Sequence, residues 1–267
     1  MLIDTHCHLD AAEFHGQEEQ LALNARENGV HKIVIPSVCR SNFADVARLG
    51  RFGGYALGIH PLYVPDAHDR DLTDLKELVK TSLGDPRFVA IGEIGLDFFV
   101  PELCVPALRD KQVHYYREQL RIAREFGLPV LLHVRRSVDL ILNGLRQIRV
   151  DGGIAHAFNG SQQQATTFIQ LGFKMGFGGA MTYTRALQIR RLATHLPLSS
   201  IVLETDAPDI APSWLDAGPN TPDQLARIAD CLASLRNLSA RDIADATTEN
   251  AYNVLPRLRA ISDPVSG

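Results

Sequence analysis

The sequence predicts an α/β protein, a (β/α)₈ or TIM barrel. Eight short apolar segments alternate with stretches of helical periodicity, and polar residues gather where the apolar segments end. Parallel strands need crossover helices, and eight such units within 267 residues match a closed barrel. An open doubly wound sheet is the alternative. The barrel is favoured because it brings all the polar strand ends to one mouth.

Each predicted strand is a short apolar run bounded by turn residues or by a change to helical spacing. The strands are predicted at 2–8, 32–37, 55–60, 88–96, 129–134, 153–157, 174–178 and 201–206. Ser, Thr or Pro precedes most of the predicted helices, and Gly or Pro ends them. The helices are predicted at 17–28, 42–51, 73–83, 107–126, 138–148, 162–171, 186–196, 222–235 and 240–254.

No shift in composition divides the chain, so we expect a single domain over 1–267, with 262–267 as a loose tail. The formal net charge of −4 argues against a broad basic surface that coats nucleic acid. Four irregularly spaced cysteines indicate reduced thiols and a cytoplasmic protein. No segment reaches the roughly 18 apolar residues of a membrane span. We expect a monomer with no membrane partner.

The first strand carries Asp4, His6 and His8 at every second position. Side chains two apart on a strand share a face, so both imidazoles aim the same way while Cys7 aims the other way. Two neutral imidazoles at this spacing suit a divalent metal. Ordinary polar residues at a strand end are the alternative, so the case depends on the other strands.

Ionisable residues end several other strands and would meet the two histidines at the barrel mouth. They are His60, Glu93, His133, His156 and Asp206. Barrel enzymes keep their active sites at this mouth. Burying so many ionisable groups without partners would be costly. The pattern therefore predicts a metal centre, although any one of these histidines alone would more simply be a hydrogen-bonded rim residue.

Glu93 is predicted to bridge two metal ions, because a carboxylate can bridge and the neighbouring Gly92 and Gly95 leave room for a ligand. A salt bridge from Glu93 to a neighbouring arginine is the alternative. Asp206 is predicted to be both a ligand and the acceptor of a proton from water, whose pKa a metal lowers. We therefore assign catalytic roles to Glu93 and Asp206. The two predicted ligand sets are His6, His8 and Asp206 with Glu93, and His133 with His156.

Five further features have alternative interpretations. Asp4 and Glu204 could orient ligands from outside the metal site, or make ordinary hydrogen bonds inside the barrel. His60 and Arg135 are predicted to contact the substrate; a structural rim histidine and a surface arginine are the alternatives. The glycine-rich segment 175–183 lacks the Lys-Ser/Thr of a phosphate loop, and strand-end flexibility explains it.

These motifs together resemble the TatD-type metal-dependent deoxyribonucleases, a family of amidohydrolase-like barrels. The resemblance runs nearly end to end, and within the family it points to the YjjV-like branch. The matching motifs are Ile3-Asp-Thr-His-Cys-His-Leu-Asp10, Gly58-Ile-His-Pro61, Gly92-Glu-Ile-Gly-Leu-Asp97, His133-Val-Arg135, His156-Ala-Phe-Asn-Gly-Ser161, Leu203-Glu-Thr-Asp-Ala-Pro208 and Thr248-Glu-Asn-Ala251.

The resemblance implies a TIM barrel, two divalent ions (zinc, magnesium or manganese) and hydrolysis of DNA phosphodiester bonds. The implied metal ligands are His6, His8, Glu93, His133, His156 and Asp206. No run of Lys or Arg exceeds two residues, whereas a grip on long duplex needs many phosphate contacts. We therefore expect end-directed cutting of single-stranded or frayed DNA, and with the resemblance we expect it to run 3′–5′.

Two other functions stay open. A similar metal barrel could hydrolyse amides, esters or other small substrates, because the fold does not fix the leaving group. A non-enzymatic protein with a structural zinc is the second alternative. Ligands around an open mouth argue against that protein, since structural zinc sites are closed four-ligand cages.

Overall fold

The computed structural model describes residues 1–14, 16–216 and 218–262. All but the first residue of the predicted tail, 262–267, therefore lies outside the described part. Eight strands form one sheet in the order β1 to β8, and each successive pair is parallel. Helices connect the successive strands. The predicted (β/α)₈ barrel is confirmed.

The strands are β1 (Leu2–Asp4), β2 (Val30–Pro36), β3 (Gly53–Leu57), β4 (Phe88–Asp97), β5 (Val130–Arg135), β6 (Gly153–Ala155), β7 (Phe173–Phe177) and β8 (Ile201–Leu203). The α-helices are α1 (Glu18–Glu27), α2 (Phe43–Leu49), α3 (Asp69–Ser82), α4 (Pro106–Phe126), α5 (Val138–Gln147), α6 (Gln162–Gln170), α7 (Leu187–His195), α8 (Leu225–Arg236) and α9 (Ala240–Val254). None of these described helices is long and apolar enough to cross a membrane.

Hydrogen bonds just beyond β1 and β8 close the barrel. The Thr5 N–H donates to the carbonyl of Leu203 (3.1 Å), and the Asp206 N–H donates to the carbonyl of His6 (2.9 Å). The buried Asp4 carboxylate accepts bonds from the N–H (3.0 Å) and hydroxyl (2.6 Å) of Thr205. This closure holds His6 and Asp206 side by side, although about 200 residues separate them in the chain.

A small apolar cluster fills the barrel interior. It takes residues from seven strands, and side chains from all around a barrel can meet only inside it. Leu255, Leu258 and Ile261, which follow α9, complete the cluster. The end of the chain therefore closes the amino-terminal end of the barrel, and the carboxyl ends of the strands keep the open mouth.

The predictions that strands one, three, six and eight run through site residues were wrong. β3 ends at Leu57, before His60. β1 ends at Asp4, so His6 and His8 lie on the segment that follows the strand. β6 and β8 end at Ala155 and Leu203. The backbones of Ala157 (φ 44°) and Asp206 (φ 57°) are left-handed, which ends a regular ladder. The side chains of the site therefore stand on irregular segments beyond the ladders.

Two predicted helix starts also differ. α3 begins at Asp69, four residues before the prediction, because the Asp71 carboxylate caps the helix by accepting a bond from the His68 N–H (2.9 Å). The predicted start of the eighth helix is a 3₁₀ turn, Pro222–Gln224, and α8 follows it. Such turns are common at helix ends.

The glycines beside Glu93 were expected to make room for a ligand. They instead allow two strands to approach closely. Gly92 (φ 142°) and Gly95 (φ 149°) let the backbone of β4 press against β5. A Cβ atom would lie 2.6 Å from the Leu131 carbonyl oxygen at Gly92, and 2.0 Å from the His133 carbonyl oxygen at Gly95. The register also shifts between Ile91 and Ile94. Such a bulge re-aims a side chain, here that of Glu93.

Gly95→Ala should lower the free energy of unfolding by about 3 kcal/mol, because the new Cβ would both clash and force an unfavourable φ. Gly84→Ala is the matched control. A Cβ at Gly84 meets nothing within 4 Å, so it should change stability by less than about 1 kcal/mol. Urea midpoints measure both variants. Equal midpoints would show that β4 does not need this close approach.

Candidate metal centre

The Glu93 carboxylate lies at the centre of the predicted site, with a pair of imidazoles facing each of its oxygens. Oε2 lies 3.1 Å from His6 Nε2 and 3.3 Å from His8 Nε2. Oε1 lies 2.9 Å from His133 Nδ1 and 2.8 Å from His156 Nε2. Glu93 is thus within hydrogen-bond distance of four of the predicted ligands, and the predicted alternative, an arginine partner for Glu93, is not seen among the described residues.

The sixth predicted ligand, Asp206, borders the first imidazole pair. Its Oδ1 lies 3.6 Å from His6 Nε2 and 3.8 Å from His8 Nε2. The left-handed backbone of Asp206 is rare outside glycine, and such conformations cluster at functional sites. The structure therefore brings all six predicted ligands together. With His60 they form three overlapping groups that could hold a metal, namely His6, His8 and Glu93; His6, His156 and Asp206; and His60, Glu93 and His133. His156 is thus grouped with His6 and Asp206, and not with His133 as predicted.

The spacing within the first group fits a cation better than a hydrogen-bond network. His6 Nε2 and His8 Nε2 face each other at 3.3 Å, and both face the same oxygen of Glu93. Ligand atoms of a tetrahedral site with bonds of about 2.0–2.1 Å lie about 3.3 Å apart. Imidazole nitrogens with carboxylate oxygens are also a donor set that divalent metals use. The residues present therefore fit a metal ion.

Asp97 orients His133, a role that the sequence analysis did not assign. Its Oδ2 lies 3.0 Å from Nε2 of His133, while Nδ1 faces Glu93. A carboxylate on one ring nitrogen fixes the tautomer and leaves the other nitrogen free as a ligand. The alternation of Glu93, Gly95 and Asp97 along one strand was the signal that could have identified this residue.

His60, predicted to contact the substrate, also lies against Glu93. Its Nε2 is 3.3 Å from Oε1 of Glu93, and its Nδ1 accepts a bond from the Leu62 N–H (3.1 Å). Burial lowers the pKa of His60 to about 4, so its ring is neutral. A neutral ring that accepts at Nδ1 carries its proton on Nε2. The Nε2 proton of His60 therefore faces Glu93, and His60 also forms, with Glu93 and His133, one of the groups that could hold a metal.

The charges of the cluster are strongly coupled. Burial alone would raise the pKa of Glu93, but His60, His156 and His6 hold it well below its ordinary value. Burial opposes the charging of His8 and His156, yet Glu93 and Asp206 raise the pKa of His8 to about 9 and that of His156 to about 10. Glu93 is therefore an anion surrounded by groups that supply positive charge, the role that a bound cation would also fill.

His6 and His156 cannot easily be charged together. Their rings stack with centroids 4.0 Å apart and planes at 10°. Burial and the neighbouring His156 lower the pKa of His6 to about 3. His6 is accordingly neutral, and a neutral imidazole is the form that binds metal.

Glu204 lies behind His156 and explains part of the glycine-rich segment. Its Oε1 accepts a bond from the Ala157 N–H, and a Cβ at Gly176 would lie 2.0 Å from its Oε2. The glycine therefore makes space for this carboxyl, where strand-end flexibility had been expected. Burial raises the pKa of Glu204 to about 8. Its Oε2 and the His156 Nδ1 have no hydrogen-bond partner among the described residues.

Asp4 makes ordinary hydrogen bonds inside the barrel, the second of the two roles predicted for it. Its carboxylate accepts bonds from the backbone N–H groups of His6 (3.2 Å) and Thr205 (3.0 Å), and contacts no imidazole in a described hydrogen bond. Burial raises the pKa of Asp4 to about 7. Asp4 thus positions the two backbone segments that carry candidate ligands.

The site opens to solvent along one side. The side chains of His8, His133 and Asp206 are 17%, 13% and 12% exposed, whereas those of His6 and Glu93 are at most 2% exposed. Arg135 stands at the rim, with its Nη1 3.8 Å from Asp97 Oδ2. A substrate would therefore approach past the least buried ligands and Arg135.

Comparisons with known proteins agree with this geometry. An Escherichia coli protein named an uncharacterized metal-dependent hydrolase, YjjV, is 40% identical over 258 residues, covering 94% of this chain and 96% of the relative. The crystal structure of a TatD homologue, YjjV of E. coli K12, superposes with a TM-score of 0.89 at 39% identity, over 96% of this chain and 98% of that one. A putative deoxyribonuclease of Danio rerio, tatdn3, is 31% identical, with 96% and 98% covered.

The family model described as TatD related DNase matches residues 3–256. This range holds every residue of the Glu93 cluster and nearly all of the barrel. The chain therefore belongs to the TatD-related DNase family.

Proposed function

We propose that this protein is a divalent-metal-dependent hydrolase that cleaves DNA phosphodiester bonds, working 3′–5′ from single-stranded or frayed ends. One observation carries the proposal: a single buried carboxylate, Glu93, has imidazoles at both of its oxygens, two at Oε2 and three, including His60, at Oε1. This arrangement supports two ions bridged by Glu93. The proposed ligands are His6, His8 and Asp206 on the side of Oε2, and His133 and His156 on the side of Oε1.

The family supports DNA as the substrate. The matching family model is described as a DNase, and the Danio rerio relative is named a putative deoxyribonuclease. When bound, divalent ions at such a site would lower the pKa of water and neutralise charge that develops on a phosphate. Zinc, magnesium and manganese are the candidates, since imidazole favours zinc and carboxylate oxygens favour the other two.

The chain's own residues supply proton transfer and positioning. Asp206 is the candidate proton acceptor, because it borders the ligand cluster and its side chain is partly open to solvent. Burial raises the pKa of its carboxyl, which favours proton acceptance near neutral pH. His60 donates from Nε2 to Glu93, and Asp97 fixes the ring of His133. Both contacts hold the reacting groups in place before the substrate arrives.

The charge distribution favours a strand end over a long duplex. The chain is net acidic, and its runs of Lys or Arg are only two residues long, as at Arg135 and Arg136. Neutralising many phosphates would need more cations than this. We also place the enzyme in the cytoplasm, in keeping with the four free cysteines.

The test uses a 5′-labelled linear single strand, the same sequence as a closed circle, and a panel of small esters and amides. We expect a ladder of labelled products shortened from the 3′ end of the linear strand, little cutting of the circle, and loss of activity after chelation. Adding back one metal at a time should restore cleavage.

Each arm has an outcome against the proposal. Full activity after chelation would exclude the metal mechanism. Equal cutting of the circle would make the enzyme an endonuclease. Turnover of esters or amides without any of DNA would establish the small-substrate alternative.

Glu93→Gln should reduce cleavage at least about a hundredfold, because even outer partners of metal ligands contribute 10–100-fold. The amide keeps the shape of the side chain but has only one oxygen to offer, so the bound metal per chain should fall too. Elemental analysis and initial rates measure both effects. The control is Glu118→Gln, a partly exposed carboxylate on α4 that is paired with Arg121. Near-normal activity of Glu93→Gln would refute the bridge.

Asp206→Asn should lower kcat by roughly 10²–10⁴-fold with little change in KM, as expected for loss of a general base. Asp209→Asn is the control, since Asp209 is exposed, lies three residues further on and changes the charge equally. Its kcat should stay close to that of the wild type. A change confined to KM would instead give Asp206 a binding role, and an equal loss in Asp209→Asn would point to a general charge effect.

A further inference from the structure

An exposed phenylalanine with two arginines against its ring stands at the barrel mouth. All eleven phenylalanines lie in the described part of the chain, and Phe99, at 44%, is the one among them with an exposed side chain. The guanidinium carbon of Arg135 lies 3.9 Å from the centre of the Phe99 ring, and that of Arg136 lies 4.7 Å from it. We call these three residues the Phe99 shelf.

The shelf is joined to the Glu93 cluster through one residue, Asp97. Oδ1 of Asp97 accepts a bond from the Phe99 N–H (2.8 Å), and Oδ2 contacts both His133 Nε2 (3.0 Å) and Arg135 Nη1 (3.8 Å). His133 in turn faces Glu93. The shelf is therefore fixed beside the place where a scissile phosphate would bind.

The two guanidiniums are held in place with their donors unused. No described residue accepts a hydrogen bond from either side chain, and Arg135 makes only the longer contact to Asp97. Contact with the ring restrains both guanidiniums, and both side chains are exposed, so their donors are available for bidentate binding of a phosphate. Two neighbouring positive charges repel each other, and a bound anion would relieve that repulsion.

The backbone around Arg136 adds to this interpretation. Arg136 has a left-handed backbone (φ 53°), a conformation that non-glycine residues adopt rarely and often at functional sites. α5 begins two residues later, with Ser137 as its N-cap. The positive end of the helix dipole thus lies close to the shelf and favours an anion there.

We propose that the Phe99 shelf binds the phosphate adjacent to the scissile one in single-stranded DNA. Arg135 and Arg136 contact that phosphate, and Phe99 is a positioning residue that holds their guanidiniums. The inference rests on the proposed nuclease function. If the shelf binds this phosphate, a substrate with at least two phosphates should have a higher kcat/KM than a diester with only one.

The first test measures kcat and KM of the metal-loaded enzyme on a short single strand and on bis(p-nitrophenyl) phosphate, which has one phosphate. Arg136→Ala should lower kcat/KM on DNA about tenfold, mainly through KM, and the loss on the small diester should be several-fold smaller. The log–log salt slope on DNA should become shallower by about 0.7. Arg136→Lys should recover only part of the loss, because lysine keeps the charge but not the planar fork.

Two further comparisons test whether the Phe99 ring is needed and whether the position of the shelf at the mouth matters. Phe99→Leu should show the same KM effect in weaker form, and Phe99→Tyr should restore wild-type KM. Arg51→Ala is the matched control, because Arg51 stacks on Phe52 at 4.6 Å immediately before β3, on the side away from the mouth. It should leave DNA cleavage unchanged.

The second test replaces one phosphate at a time by an uncharged methylphosphonate. Apart from the scissile phosphate itself, wild-type enzyme should show one adjacent position with the largest penalty, and Arg136→Ala should remove that penalty, since a coupled pair is not additive. An unchanged positional profile in Arg136→Ala, or equal losses on both substrates, would overturn the shelf. Failure of the wild type to cleave DNA at all would instead refute the proposed nuclease function.

Discussion

Burial of the Glu93 carboxylate is the constraint on which the site depends. An anion that is 2% exposed would be costly without compensating positive charge. The neighbouring imidazoles and the N–H donor of His60 supply that compensation, and each oxygen of the carboxylate faces its own pair. The rest of the mouth can be understood as support for this arrangement. The bulge in β4 aims the carboxylate, and Asp97 orients the ring of His133. The contacts between Asp4 and Thr205 join the segment after β8 to β1.

The barrel and its ligand candidates could be predicted because both depend on short-range patterns. Apolar runs alternate with helical segments, and the ionisable residues directly follow those runs. The alternation along β4 was enough to place Asp97 at the mouth beside Glu93. Its contact with His133 could not be predicted, because it depends on the direction in which the second ring nitrogen points. The purpose of Gly95 and Gly176 was also hidden, since it depends on which atom approaches from a strand that is distant in sequence.

The residues that stabilise the barrel and the residues of the candidate site lie at opposite ends of it. The amino-terminal end is closed by apolar residues after α9, and the buried Lys32 ammonium donates there to the carbonyl of Leu258 (3.1 Å). The mouth instead collects left-handed residues at Arg136, Ala157 and Asp206. Strained backbones persist only where surrounding contacts hold them. The closed end and the hydrogen-bonded seam between β8 and β1 provide that rigidity, so the ligand-bearing segments can remain irregular.

The balance of charge links the number of ions to the substrate. Three carboxylates contact the cluster. The pKa values of Glu93 and Asp97 lie below their ordinary values, so both are anions, and Asp206 would be ionised as a metal ligand. Burial raises the pKa of Glu204 to about 8 and so favours its neutral form. With neutral imidazoles, one divalent ion would leave the cluster at a net charge of −1 and would repel a phosphodiester. Two ions would leave +1 and would attract it. On the proposed two-ion occupancy, an acidic protein thus presents a locally positive mouth, and the neighbouring arginines extend that positive charge along a strand. A neutral ester or amide would gain much less from this field, which is the electrostatic reason to prefer a phosphodiester.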